Sequence, residues 1–396
     1  MRILAIAAYY KPAFSFGGPV RSVSALCEGL VREGAIVHVL TTDAASERDS
    51  LNVQDGVPIA LEGVQISYFA RKWVGSPVPL YFYSPSLKRA CDQQVRNYDL
   101  IYFSATWTYP LFAGASAAMA ERVPYVVSPR GSFMTWSMKI KGLKKRVYLE
   151  CIERNILDRS AGIHCTSVLE QEQLAQWRFK SSSFVVPNPI DLARFAQLPV
   201  RGKFRAKLGI DGGASLTVFV GRLHAEKRLE LTVRAFAEVV RSVQNAHLAI
   251  VGPDYGCRKS VVELTAHLGL RQRVHFVDMV TGEDLLEVYA DGDLLVLLSV
   301  RENFGIVAAE AMAAGMPVLL SERVGLASEV RKGGAGFVVG DRLSEISATW
   351  ATALGDTGAG TAGKRLASEC FSERAVAKRM LEVFELAAHN RNGVRN

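Results

Sequence analysis

Short apolar runs recur along the chain, bounded by Gly, Pro, Asn, Asp or Ser and separated by stretches with helical spacing. One series occupies residues 2–9, 37–42, 57–60, 64–69, 100–103, 125–128, 162–165 and 183–186. A second occupies 216–220, 248–251, 274–277, 294–300 and 317–321, with a turn and short strand over 333–338. Most are continuously apolar, as expected of parallel strands buried on both faces. Strands alternating with helices predict an α/β fold with parallel sheets covered on each side. Helices are expected at 20–33, up to about 241 after the strand at 216–220, and at 258–268, 283–289, 306–314, 343–354, 361–367 and 373–389.

Two such series in 396 residues predict two domains, since one ordinary core does not grow that large. Pro187 and Pro189 stiffen the chain where the first series ends. The expected division is a first domain over 1–195, a second over 196–372 and a terminal helix over 373–396.

The stretch 291–336 carries the clearest chemistry. A buried strand leads into Arg301-Glu302-Asn303-Phe304-Gly305, then a small-residue helix stopped by Gly315 and Pro317, then a second strand. This β-loop-α-β unit sets a helix N-terminus at the carboxyl edge of a sheet, where open α/β proteins bind ligands. Gly305 allows close backbone approach, and the amides of Gly305, Ile306 and the rest of the first turn form an anion site. Glu302 lies just before that site and Glu310 about one turn inside the helix. An anion flanked by two carboxylates that seek hydroxyl donors describes a sugar nucleotide. The plain alternative is two solvated glutamates at an ordinary helix start.

Elsewhere, Arg222 and Lys227 follow the strand at 216–220 and offer cations for a diphosphate. Gly17 and Gly18 precede the first helix in the loop Y-Y-K-P-A-F-S-F-G-G-P, which is not the G-x-G-x-x-G of a dinucleotide redox site. Ser104, Thr106 and Trp107 end one strand, and Ser128-Pro129-Arg130-Gly131-Ser132 ends another; pocket lining and ordinary loop packing both fit them. Asp291-Gly292-Asp293 imitates a D-x-D metal motif, but it enters a buried strand directly and reads as a turn.

The spacing E-x7-E around Phe304-Gly305 resembles the retaining glycosyltransferases of family 4, the group 1 transferases. Arg222-x4-Lys227 and Pro187-Asn188-Pro189-Ile190-Asp191 resemble further parts of that family. The resemblance implies a GT-B fold: two Rossmann-like domains facing a cleft, with the terminal helix returning to the first. It implies that Glu302 contacts sugar hydroxyls, Glu310 the ribose, and Arg222 and Lys227 the diphosphate. Gly17 and Gly18 would face the diphosphate across the cleft, Asn303 and Phe304 would shape the sugar pocket, and the loop up to Val280 would hold the base. The reaction implied is metal-independent, without a cofactor, and moves sugar from a nucleotide-diphosphate donor to a glycan or polyprenyl-diphosphate-linked acceptor. Many relatives read D-x-x-H-x-H where this chain reads Asp99 to Ser104, and carry His where it has Arg130. Ser104, Thr106 and Arg130 therefore stand as acceptor-side candidates without a histidine among them. A non-catalytic nucleotide-sugar binding protein and a GT-B-fold sugar-nucleotide epimerase are the alternatives.

Charge and composition narrow the rest. Lys and Arg exceed Asp and Glu by 8 (47 against 39), which favours anionic partners, but no nucleic-acid motif stands out. The six cysteines form no C-x-x-C pair and read as reduced thiols of a cytoplasmic protein. Residues 3–10 read as a first strand and not a signal peptide, and no uncharged apolar run is long enough to span a membrane. Residues 136–159 are the most basic stretch, with Ile140, Leu143, Val147, Cys151 and Ile152 at helical spacing among Lys139, Lys141, Lys144, Lys145 and Arg146. Two readings stand: a core helix with a solvated basic face, or a surface helix pressed on the anionic inner face of the cell membrane.

Overall fold

The computed structural model describes residues 1–72, 81–139 and 142–389. The chain forms two compact units: Met1–Pro189 with the C-terminal helix, and Ile190–Ser372.

The first unit contains β1 (Arg2–Ala7), β2 (Ile36–Thr42), β3 (Pro58–Leu61), β4 (Val64–Phe69), β5 (Leu100–Ser104), β6 (Tyr125–Ser128), β7 (Gly162–Cys165) and β8 (Ser183–Val185). Their order in the sheet is β3-β4-β2-β1-β5-β6-β7-β8. Every pairing is parallel except the β3–β4 hairpin. The edge strand β3 is solvent-exposed, whereas β1, β5 and β6 are buried almost throughout, as their unbroken apolar runs demand. The helix Glu373–His389 belongs to this unit. Its face Val376, Ala377, Met380 and Phe384 is buried on the helix Gly18–Arg32 and the sheet. Gly29 makes that approach close, since a β-carbon there would lie 3.1 Å from Ala377 Cβ and from the Glu373 carbonyl.

The second unit contains β9 (Ser215–Val220), β10 (Ala246–Val251), β11 (Val274–Val277), β12 (Leu294–Leu297), β13 (Val318–Ser321) and β14 (Gly336–Val339), in the order β11-β10-β9-β12-β13-β14 and wholly parallel. It begins at Ile190, whose amide bonds to the Phe371 carbonyl at 2.8 Å, and Phe195 lies in its core. Residues 190–195, grouped by sequence with the first domain, thus belong to the second unit. Two parallel-sheet Rossmann-like units of this kind are the GT-B architecture.

Two local expectations change. The strand expected over 294–300 stops at Leu297, because the chain leaves the ladder: the Val300 amide bonds to the Glu226 carbonyl at 2.9 Å and the Ser299 carbonyl accepts from Ser321 Oγ at 2.6 Å. Of the stripe expected over 136–159, Ile152 packs on the core but the other described members do not. Leu143 is 80% and Val147 57% exposed, Cys151 is also exposed, and Ile140 and Lys141 lie outside the described residues. The inward side is instead Leu149, Glu153, Ile156 and Leu157.

Candidate active site

In the second sheet the strand order reverses between β9 and β12, and loops leaving their carboxyl ends meet there. The loop after β9 runs through Arg222 to Arg228, where the helix Leu229–Ser242 begins. Lys227 Nζ donates to Glu302 Oε2, and Arg301 pairs with Glu226. Both residues of the first pair are partly buried, at 16% and 24% side-chain exposure, so the bridge is neither a solvated surface pair nor a core pair. Arg222 is exposed, with its guanidinium 5.2 Å from the centre of the Tyr255 ring.

The loop after β12 is fixed by its backbone. The Glu302 amide donates to the Arg323 carbonyl at 3.1 Å, and its carbonyl accepts from the Gly325 amide at 2.8 Å. Gly305 follows with φ +93°, and a β-carbon there would stand 2.8 Å from Val324 Cγ1. This left-handed residue starts the helix Ile306–Ala314, whose first turn has no side-chain cap and no acidic residue. The terminus therefore keeps its positive dipole end for an anion.

Glu310 is buried, and its Oε2 accepts from the Tyr289 hydroxyl at 2.7 Å. Phe304 is 3% exposed, and its ring packs edge-on against Phe371 at 5.8 Å. Asn303 is half-buried; Ile306 and Val280 are also half-buried and lean on the core.

The first sheet reverses between β1 and β5. Gly17, at φ +78°, turns the chain into the helix Gly18–Arg32, with Gly18 as its first residue. Ser104 ends β5, Thr106 follows as a buried residue, and Arg130 follows β6. Arg130 is less available to an acceptor than its place suggests. Its guanidinium donates to Ser104 Oγ at 3.1 Å, Ser22 Oγ at 3.0 Å, Tyr102 OH at 3.2 Å and Asn188 Oδ1 at 2.6 Å. It ties the ends of β5 and β6 to the Pro187–Pro189 segment, and in doing so it engages Ser104.

The D-x-D imitation is structural. Arg205, 1% exposed, donates to the Asp291 carbonyl at 2.9 Å and to Asp293 Oδ2 at 2.7 Å, while Asp291 Oδ2 accepts from the Arg205 amide at 2.8 Å. Among the described residues, no group of three or more His, Cys, Asp or Glu could hold a metal ion.

Sequence reasoning did not assign Tyr289, Glu226 or the Arg228–Asp341–Arg323 cluster. Hydrogen bonds from Arg228 and then Arg323 hold the Asp341 carboxyl below its usual range, which braces the end of β14 against the loops of β9 and β13. Their signal was faint: a partner distant in sequence, legible only once the strand order is known.

The "Glycosyl transferase 4-like domain" matches residues 17–189 and "Glycosyl transferases group 1" matches residues 200–353. The chain belongs to the group 1, or family 4, glycosyltransferases. It is 38% identical over 177 residues to a D-inositol 3-phosphate glycosyltransferase of Nocardia farcinica, a match covering 43% of this chain and 38% of that one. A further enzyme of that name, from Rhodococcus jostii, is 33% identical over 221 residues, again covering about half of each chain (52% and 48%). An uncharacterised glycosyltransferase of Methanocaldococcus jannaschii is 28% identical over 337 residues, 82% of each chain. In fold, the chain is similar to Anabaena HepE, solved in complex with UDP, at TM-score 0.74 and 21% identity, covering 97% of this chain and 100% of that one. It is also similar to sucrose-phosphate synthase of Thermosynechococcus elongatus, at TM-score 0.72 and 21% identity, covering 98% and 99%.

Proposed function

We propose that the protein transfers a sugar from a nucleotide-diphosphate donor to a hydroxyl-bearing acceptor, glycan or lipid-linked, with retention of anomeric configuration and without a bound metal. One observation carries this reading: Lys227, Glu302 and the uncapped, Gly305-led helix terminus converge where the second sheet reverses. UDP in the HepE complex supports a nucleotide donor for this fold.

As the bond from anomeric carbon to diphosphate lengthens, negative charge grows on the leaving phosphate and positive charge on the sugar ring. Lys227, Arg222 and the helix dipole stabilise the former. Glu302, displaced from Lys227 by the phosphate, turns to the sugar hydroxyls, and Glu310 shares the ribose hydroxyls with Tyr289. The anion thus replaces one member of an existing ion pair: Lys227 stays paired throughout, and the Glu302 carboxylate exchanges its cation for hydrogen bonds from the sugar hydroxyls. The acceptor lies on the first unit, near Gly17, Gly18 and the ends of β5 and β6. No side chain identified there serves as a base, so the departing phosphate oxygen takes the acceptor proton. The decisive assay is incubation with UDP-, GDP- and ADP-sugars, followed by proton NMR of the anomeric centre in the product. An inverted product refutes retention, and donor binding without any turnover refutes catalysis.

A second reading concerns location, toward surface polysaccharide synthesis on a polyprenyl-linked acceptor. Exposed Leu143, Val147 and Trp136 stand among Lys144 and Arg146, beside a surface depression of about 490 Å³ between Met138, Leu143 and Trp177. An apolar stripe flanked by cations suits an anionic lipid surface. No helix of the described residues is long and apolar enough to cross a membrane. Sedimentation with phosphatidylglycerol vesicles should be lost in the variant carrying Lys144→Glu and Arg146→Glu; unchanged sedimentation rejects this docking.

A further inference from the structure

The turn leaving β5 is held from outside itself. Ala105 and Trp107 adopt φ of +78° and +62°, left-handed values that side-chain-bearing residues rarely take and that need external support. The Ala105 amide bonds to the Ser128 carbonyl at 2.9 Å, but the Trp107 amide bonds to a side chain, donating to Glu153 Oε1. The Trp107 ring is packed by Phe133 at 5.3 Å and Tyr148 at 5.9 Å, with Lys145 Nζ 5.9 Å from its centre. Thr106 Oγ1, Thr108 Oγ1, Trp107 Nε1 and Glu153 Oε2 are all buried and have no hydrogen-bond partner among the described residues.

Glu153 reaches this place through an irregularity in its helix. The Arg154 amide bonds back five residues to the Leu149 carbonyl, which widens the turn 149–153. Such inserted residues re-aim side chains and concentrate at functional sites. Neighbouring Glu150 and Arg154 pair in solvent, while Glu153 is 1% exposed and forms no salt bridge among the described residues. A buried carboxyl that joins no ion pair among the described residues, and instead supports a strained turn, calls for a role beyond packing.

We propose that Glu153 is a positioning residue for the acceptor: its carboxyl anchors the Trp107 amide and so maintains the strained turn after β5. The inference rests on the reading that the first unit takes the acceptor. The chemistry fits a carbohydrate: a small outward shift of the turn would give the unpartnered Thr106 and Thr108 hydroxyls the hydroxyl-rich partners that they lack here. Glu153 sets how readily that shift occurs, and it lies at the base of the same helix that carries Lys144 and Arg146.

Burial pushes the Glu153 carboxyl up to about 8, against the weaker pull of the Trp107 amide and Lys145. Lys145 and Tyr148 are the ionisable groups facing it, both from the helix Gly142–Tyr148; the turn 104–108 contributes none. Around neutrality the carboxyl is therefore mostly uncharged. Above about pH 8 it becomes a buried charge that must be hydrated, and the turn loosens.

Hydrogen exchange of the peptide covering 104–109, corrected for intrinsic rate between pH 6.5 and 9.5, tests the anchor in the wild type, Glu153→Gln and Glu153→Ala. The wild type should lose about tenfold in protection across pH 8, Glu153→Gln should show no such step, and Glu153→Ala should be unprotected throughout. In parallel, hydrolysis of a UDP-sugar reads the donor side, and transfer to octyl hexosides reads the acceptor side. Glu153→Ala should lower transfer about tenfold or more with hydrolysis unchanged, and Glu153→Gln, which keeps an oxygen for Trp107, should stay within about threefold of wild type. Equal protection in wild type and Glu153→Ala overturns the anchor. Hydrolysis falling in step with transfer overturns the acceptor role. Absence of both reactions in the wild type rejects the parent reading, and the exchange arm still decides the anchor.

Discussion

Replacing Lys227 by Ala separates catalysis from stability. Lys227 and Glu302 retain 16% and 24% side-chain exposure, so their bridge is screened and contributes on the order of 1 kcal/mol or less to folding. The melting temperature should therefore move by only a few degrees. Against a leaving diphosphate the same ammonium makes a charge-assisted contact of about 1.5–3 kcal/mol, which corresponds to a loss of roughly ten- to a hundredfold in transfer. Because that charge develops mainly as the bond breaks, kcat and kcat/KM should fall together. The assay is steady-state donor turnover in wild type, Lys227→Ala, Glu302→Ala and the double variant. If the phosphate displaces Glu302 as argued, the double variant should be no more active than the worse single variant. Near-normal turnover in Lys227→Ala, or a large fall in melting temperature with matching loss of activity, would show that the bridge is structural and refute the mechanism.

Other consequences can be checked directly. Gly305→Ala should destabilise the second unit by roughly 1–2 kcal/mol from its left-handed backbone, with more from the 2.8 Å clash against Val324, and should weaken nucleotide binding; unchanged calorimetric binding and melting would contradict the helix-terminus site. Arg205→Met should cost about 1–3 kcal/mol in urea unfolding, because it leaves the buried Asp291 and Ala214 carbonyls without their donor while half-buried Asp293 keeps Arg201 and the Leu216 amide; a loss below about 0.5 kcal/mol would show the clamp to be dispensable. His164, buried between Tyr102 OH and the Val186 carbonyl, is held down to about 3 from 6.5, chiefly by burial. The unfolded chain then binds the extra proton first, so this contribution is intact above about pH 6.5 and is lost as pH falls toward 3, by about 2 kcal/mol at pH 5. Unfolding midpoints measured from pH 7 to 4 should show a shallower acid loss in His164→Gln than in the wild type.

Continuous apolar runs made the parallel strands readable one by one, because burial on both faces leaves no room for polar alternation. Gly305 was readable for a local reason: a strand, a glycine and a small-residue helix in that order leave little else for the chain to do. What could not be read was pairing over distance. Nothing in 202–213 announces that Arg205 is destined for the core, and although Asp291 and Asp293 read as a turn at a strand entry, their partner could not be named until the strand order brought them together. Tyr289 lies some twenty residues from Glu310 and meets it only because the helix Gly282–Asp291 packs beside it. Helical spacing at 136–159 correctly indicated an amphipathic helix but not its direction. The buried face is Leu149 and Glu153 while Leu143 and Val147 face solvent. Periodicity reports that a helix has two faces; what packs against it decides which one is covered.

The central claim is that the reversal point of the second sheet binds a nucleoside diphosphate. Titration calorimetry of UDP, GDP and ADP, with and without their hexoses, into wild type and an Arg222→Ala, Lys227→Ala double variant tests it most directly. The account predicts that at least one of them binds the wild type and that its affinity falls about tenfold or more in the double variant. Binding of none of them, or binding unchanged by the two substitutions, would contradict it.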